Sequence, residues 1–256
     1  MTNKKRWEFI PGDEITIAPG RTVKRIRALV AIDGFGVSPG DLGGYVESET
    51  NLAQVSGNAW VYGDARVYGD AQVYGDAWVS GDAWVYGNAR VYGDAQVYGD
   101  ARVYGDAQVS GDAQVSGDAQ VSGDARVSGD AWVSGDARVS GDAWVYGNAR
   151  VYGDARVYGD AWVYGDAWVS GNARVYGDGL IFWASQVGSE NGTLTVYNTR
   201  DNTLQVTRGC FVGSVDEFLE ASERKHDDDT HLEYRLLIEI AHSRITRARV
   251  KLEAAQ

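Results

Sequence analysis

A valine stands at every sixth position from Val55 to Val175, twenty-one times without a slip. Around it the chain repeats Ala-x-Val-(Ser/Tyr)-Gly-(Asp/Asn). A six-residue period suits neither an α-helix nor an array of hairpins. It predicts a parallel β-helix in which each hexapeptide is one short strand and one corner. Three hexapeptides make one triangular coil, so the run predicts about seven coils. Alternation turns the valine inward and its neighbours outward: in Arg66-Val67-Tyr68 the valine enters the core while Arg66 and Tyr68 face solvent. The alanine two places ahead of each valine is small enough for the inside of a corner. Gly69 and Asp70 make the turn, glycine because it tolerates positive φ, Asp or Asn because its side chain bonds nearby backbone. Strands stacked about 4.8 Å apart give a rod of roughly 34 Å. One coil alone buries almost nothing, so stability has to come from stacking.

Outside residues 53–178 the pattern changes. In 1–52, apolar runs at 15–17 and 23–32 are broken by Pro11-Gly12, Pro19-Gly20 and Pro39-Gly40. They predict an N-terminal β cap that shields the open edge of the first coil. From Gly179 the hexapeptide is lost, and 180–182, 193–197 and 204–207 read as ordinary strands. After Ser214 the period becomes helical. Asp216-Glu217 lead a short helix, and Asp229-Thr230 cap a longer one with Leu232, Leu236, Leu237, Ile240, Ala241 and Ile245 on one face. Such a stripe packs on the core or on symmetry-related chains. Residues 179–256 therefore read as a strand-plus-helix (α+β) region for capping or oligomerisation.

The unit Val-(Tyr/Ser)-Gly-(Asp/Asn)-Ala-x is similar to the hexapeptide of left-handed β-helix proteins, a group that includes bacterial acyltransferases. It departs from them just after the aliphatic residue, where Tyr or Ser replaces the usual small or acidic side chain. Gly43-Gly44-Tyr45-Val46-Glu47-Ser48-Glu49, followed by Asn51-Leu52, resembles the opening cap of YdcK-like proteins of transferase type and of phage and prophage proteins. Val187-Gly188-Ser189-Glu190-Asn191-Gly192-Thr193, with Gly209-Cys210-Phe211, resembles phage-encoded repeat proteins. The hexapeptide likeness covers about half the chain and is specific for fold, much less so for function. It implies an all-β solenoid: a left-handed parallel β-helix of about seven triangular coils between an N-terminal β cap and the α+β region.

No apolar run approaches a membrane span, and the start, Met1 to Trp7, lacks the apolar segment of a signal peptide. A cytoplasmic location is expected, the host cytoplasm for a phage-encoded chain. The single cysteine, Cys210, excludes an internal disulfide framework and reads as a small buried residue. Net charge is −12 and concentrates on the rod, where residues 53–178 hold seventeen aspartates and eight arginines.

Acyl transfer in the left-handed β-helix family relies on a histidine base near the coils, in a cleft between subunits of a trimer. Here His226, His231 and His242 all lie in the C-terminal part and none in the repeat. No catalytic residue, metal ligand or cofactor is assigned. His226-Asp227-Asp228-Asp229-Thr230-His231 matches no defined metal spacing, and an acidic helix start already suits the helix dipole. Corner columns such as Asp64, Asp82, Asp100, Asp118, Asp136 and Asp154 follow from turn chemistry, since Asn58, Asn88, Asn148 and Asn172 take the same place. They also give the rod a regular acidity that would mimic duplex DNA, though interleaved arginines blur it. Direct nucleic-acid binding has the wrong charge sign.

The residue before each valine sorts by coil into three columns: Arg66, Trp84, Arg102, Gln120, Arg138, Arg156, Arg174; Trp60, Trp78, Gln96, Gln114, Trp132, Arg150, Trp168; and Gln54, Gln72, Arg90, Gln108, Arg126, Trp144, Trp162. So many outward aromatics fit an interface, a ligand site, or sheet faces stabilised by cross-strand pairs. From Ser110 through Ser140 serine follows the valine six times running, a narrow waist that is either a groove or a duplication of serine-type units. The reading favoured is a non-enzymatic binding or scaffold protein, a homotrimer of phage type that engages a host protein or sequesters a small anionic, nucleotide-like ligand. The ligand-binding residues expected are Trp84, Arg102, Tyr104, Arg138, Arg156 and Tyr158, since guanidinium pairs with phosphate and rings stack on bases. An acyltransferase-like enzyme and an acidic DNA mimic are the alternatives.

Overall fold

The computed structural model describes residues 5–177 and 179–254; residues 1–4, Asp178 at the close of the last hexapeptide, and residues 255–256 lie outside the described residues. Each hexapeptide from Trp60 onward contributes a strand of two or three residues, and rungs eighteen residues apart pair in parallel, as Arg102 with Gln120 and Val103 with Val121. Three faces result, of ten, seven and six strands. The backbone ladder is regular: Arg102 N donates to Ala119 O, Tyr104 N to Val121 O, both at 2.9 Å, and at the corner Asp106 N to Gly123 O at 3.0 Å. Val103, Val121, Ala101, Ala119 and their equivalents are fully buried, so valine and alanine from every rung fill the lumen. Burying each valine contributes roughly 1.5–3 kcal/mol, and only stacking makes that burial complete.

The first hexapeptide differs from its expected place. Val55 is half exposed, and Leu52, fully buried, takes the rung beneath Val73. Val46 likewise lies beneath Val67. Both sit twenty-one residues ahead of their partners rather than eighteen, because nine residues instead of six separate Leu52 from Val61. Residues 53–58 are the bulged corner that absorbs the extra three.

Below this coil, strands β1 (Trp7–Ala18) and β2 (Arg21–Ala28) form an antiparallel hairpin. β3 (Leu42–Val46) pairs antiparallel with β2 and parallel with the first rung, so the cap extends the ten-stranded sheet downward. Trp7, Ile26 and Trp60 plug the lumen. The cap also reaches over the outer face: Val23, Tyr45 and Tyr68 form a buried cluster with Ile15, Ile17, Trp84 and Tyr86 against it. Tyr68, expected in solvent, is therefore buried, with the Arg21 guanidinium 5.3 Å from its ring centre.

The upper end is closed by a four-stranded antiparallel sheet of Ile181–Val187, Gly192–Asn198, Leu204–Arg208 and Phe211–Ser214, the last strand not apparent from the sequence. Side chains of this sheet satisfy the open edge of the Trp168–Val169 rung: Trp168 N donates to Thr195 Oγ1 at 3.1 Å, and Thr207 Oγ1 donates to Trp168 O at 2.8 Å. Helix α1 (Val215–Lys225) is capped by Ser214, whose hydroxyl accepts from Glu217 N. Helix α2 (Asp228–Ala254) starts two residues earlier than a cap at Asp229 implies, with Asp227 accepting from Thr230 N at 2.9 Å. Hydrogen bonding from the Thr230 side chain, and next from its backbone N–H, holds the Asp227 carboxyl below its ordinary value.

The apolar face of α2 is a correction. Tyr234, Ile238, Ala241, Ile245 and Ala248 are buried, whereas Leu232, Leu236 and Ile240 are exposed. At 100° per residue the first set, spaced by alternate fours and threes, holds one line along the helix, while Leu232, Leu236 and Ile240 lie on the opposite side. Cys210 is also corrected: it is exposed, at the turn between the third and fourth C-terminal strands.

Candidate functional site

The outward side chains form ladders, because each rung repeats the same pleat one strand spacing higher. Tyr68, Tyr86 and Tyr104 stack at 5.0 Å with ring planes 4° apart. Tyr158 stacks on Tyr176 at 5.4 Å, Tyr74 on Tyr92 at 5.0 Å, and Trp144 on Trp162 at 5.2 Å. Burial pushes the Tyr68 and Tyr86 hydroxyls up from their ordinary pKa, and the neighbouring ring's potential negative charge adds to it. Trp84 lies between Arg66 and Arg102, whose guanidinium carbons are 5.0 and 5.6 Å from its ring centre. Among the residues expected to bind ligand, Trp84, Arg102 and Tyr104 thus cluster on one stretch of the ten-stranded sheet. Arg138 and Arg156 pair on neighbouring rungs, with Tyr158 beside them. Ser122 and Ser140 of the waist separate the two clusters.

On the seven-stranded face Arg150 stands between Trp132 and Trp168, 5.9 and 4.9 Å from their ring centres. This trio lines a cleft of about 420 Å³ whose walls include Asp130 and Asp166, so the arginine's charge meets carboxylates within it. At the corners, Asn88 and Asn148 donate side-chain N–H bonds of 2.9 Å to Asp106 and Asp166 one coil above. Asparagine at these places replaces a carboxylate–carboxylate contact with a hydrogen bond, a role that their free exchange in sequence conceals.

The largest of the described grooves, about 790 Å³, lies where the six-stranded sheet ends against the C-terminal region. Trp162 and Tyr164 come from the top rung of that sheet, and Trp183 from the Ile181–Val187 strand. Arg244, Arg247 and Lys251 come from α2 at i, i+3 and i+7, hence on one side of the helix. Trp183 meets Tyr164 edge-on at 4.1 Å. Trp162, 46% exposed, has Trp144 against one face. Its membership of a column was legible in the sequence. The three cations had a helical spacing, but nothing in the sequence said which rung they would face.

His226 and His231 sit at helix ends, with Nδ1 of His226 3.2 Å from Ser189 Oγ and Nδ1 of His231 3.2 Å from Ser222 Oγ, whereas His242 is exposed in the middle of α2. His226 lines a smaller cavity of about 330 Å³ with Cys210, Phe211, Phe218 and Tyr234. Among the described residues no group of three or more His, Cys, Asp or Glu side chains is placed to hold a metal ion. Among the described residues no helix is long and apolar enough to cross a membrane.

Short parallel rungs on three faces, a Val/Ala lumen and outward ladders define a parallel β-solenoid repeat protein. A family model, the YdcK beta solenoid repeat, matches residues 53–69, 59–75, 71–87, 95–111, 119–135, 131–147, 143–155 and 149–165. These stretches of the rod are thus similar to YdcK-type β-solenoid repeats. No curated protein matches the chain.

Proposed function

We propose that the chain is a non-enzymatic binding or scaffold protein that works as a homotrimer and takes a protein partner or a small anionic, flat ligand. The observation that carries this reading is the arrangement of outward tryptophan, tyrosine and arginine in ladders on a rod without histidines. Such surfaces supply large apolar area and fixed cations, the composition of recognition surfaces, and offer no histidine base. Self-association draws support from α2, which presents Leu232, Leu236 and Ile240 to solvent. The phage-type, host-interacting role rests on the resemblance of the two caps.

Native mass spectrometry of the purified chain tests the proposal. A trimer, with a reproducible added mass or a defined partner, is the expected result. A bare monomer that acquires neither, or that turns over an acyl-CoA donor, would overturn it.

A further inference from the structure

We infer that the groove between the top of the six-stranded sheet and α2 is the site for a free nucleotide. This inference rests on the reading of the chain as a binding protein and moves the site away from the Arg102–Arg156 column. The aromatic ladder Trp144–Trp162 stops at Trp162. One indole face is covered by Trp144, and among the described residues no ring covers the other. A purine placed there would be the next rung of the ladder, at the spacing the chain itself uses, 5.2 Å between ring centres. Trp183, held edge-on to Tyr164, closes one side.

The roof is cationic. Arg244, Arg247 and Lys251 line the groove, none of them forms an ion pair among the described residues, and no carboxylate is among the groove's described lining residues. Arg247 is steadied by a 3.3 Å bond from its Nε to Ser243 O, one turn back. Cations near a helix C-terminus are favoured by the helix dipole alone. The dipole does not account for their convergence on two tryptophans and a tyrosine in a protein of net charge −12. A phosphate satisfies the cations and a base satisfies the open indole face; an isolated anion or an uncharged ring satisfies only half of the site. The volume, about 790 Å³, lies in the range of small-molecule sites. A long single strand is disfavoured by the aspartate columns it would have to cross beyond the groove.

Isothermal titration of the full chain with AMP, ATP, adenosine and pyrophosphate tests the assignment. One saturable site per chain for AMP and ATP is expected, with adenosine and pyrophosphate weaker by about tenfold or more. Trp162→Ala and the pair Arg244→Ala/Arg247→Ala should each weaken ATP by about tenfold or more, while Arg102→Ala/Arg138→Ala should not. The arginine pair should leave the melting temperature unchanged, whereas Trp162→Ala lowers it by the loss of the Trp144 stack. Absence of saturable heat with both nucleotides, or indifference to Trp162→Ala and the arginine pair, overturns the site. Tighter binding of an oligothymidylate of about twelve residues than of ATP, increasing with length, also overturns it in favour of a nucleic-acid strand. The wider binding reading is judged separately by the native mass of the purified chain, so the two fail independently.

Discussion

The Asn51 carboxamide donates to the Gly69 carbonyl at 2.9 Å, and its nitrogen is also 2.8 Å from the Ala71 carbonyl. In the coils above, carbonyls at these two places accept backbone N–H groups from the rung below, as Gly81 O does from Asp64 N and Ala83 O from Arg66 N. The 3-10 turn at Glu49–Asn51 takes those donors out of the ladder at the base of the rod, Asn51 N donating instead to Ser48 O at 3.2 Å, and one buried side chain replaces both. Asn51 is itself fixed by Ser48 N, which donates to its Oδ1 at 2.8 Å. Asn51→Leu should therefore strand two buried carbonyls, at about 1–3 kcal/mol each. Asn51→Asp should be at least as harmful, since an ionised carboxylate has no hydrogen to give. Urea unfolding of both variants checks this; midpoints equal to that of the parent chain would remove the capping role.

The stacked corners make a second prediction that separates two costs. A Cβ at Gly123, where φ is +67°, would lie 3.0 Å from Gly141 N, whereas at Gly159, with φ of +62°, the nearest atom is Gly177 N at 3.5 Å. Both alanine variants incur the left-handed penalty of about 1–2 kcal/mol. Only Gly123→Ala also forces two coils apart. It should be the more destabilising by about 1 kcal/mol or more, read as the difference in unfolding free energy. Equal losses would mean that corner contact contributes nothing beyond backbone strain.

The rod was legible because a six-residue period has one good solution, and every Val/Ala pair from Trp60 onward keeps it. The ends were less so. Leu52 under Val73 and Val46 under Val67 obey the coil through an offset of twenty-one that the valine count does not contain. On α2 the apolar residues occupy two sides, and periodicity alone does not say which side meets the C-terminal sheet; Tyr234 and Ala248 face it, and Leu236 does not. Sequence columns placed Trp84 beside Arg102 correctly. They gave no hint that Trp183 and the cations of α2 would meet Trp162, because that groove joins segments with unrelated periods.

The serine waist interrupts a ladder that is otherwise self-complementary. On the ten-stranded sheet Tyr104 and Tyr158 are separated by Ser122 and Ser140, one per rung. Ser122→Tyr with Ser140→Tyr should join Tyr68 to Tyr176 in one stack. Three new ring pairs form, each worth about 0.5–1.5 kcal/mol beyond its buried area. The melting temperature of the double variant should rise by several degrees, and each single variant should deliver less than half of the gain. A fall in melting temperature would show that the waist is too narrow to seat the rings.

At the opposite end of the rod a buried phenol gives the fold an alkaline limit. The Tyr197 hydroxyl lies 3.1 Å from Ser170 Oγ and donates to Ser170 O at 3.3 Å, while Ser170 N donates to it at 3.3 Å. Burial pushes this tyrosine up to about 12, against the lowering effect of the Ser170 bonds. An unfolded tyrosine ionises near about 10, so the folded state holds the proton longer. The stability linked to Tyr197 is thus complete below about pH 10 and is lost as pH rises through about 12. Within that window one proton fewer is bound on unfolding, a slope of up to about −1.4 kcal/mol per pH unit. Tyr197→Phe should lower stability at pH 7 by about 1–2 kcal/mol, through the Ser170 N–H left without its acceptor. It should also flatten the decline between about pH 10 and pH 12. Denaturant unfolding of both chains across that range checks the sign: parallel declines would show that the phenol does not set the alkaline limit.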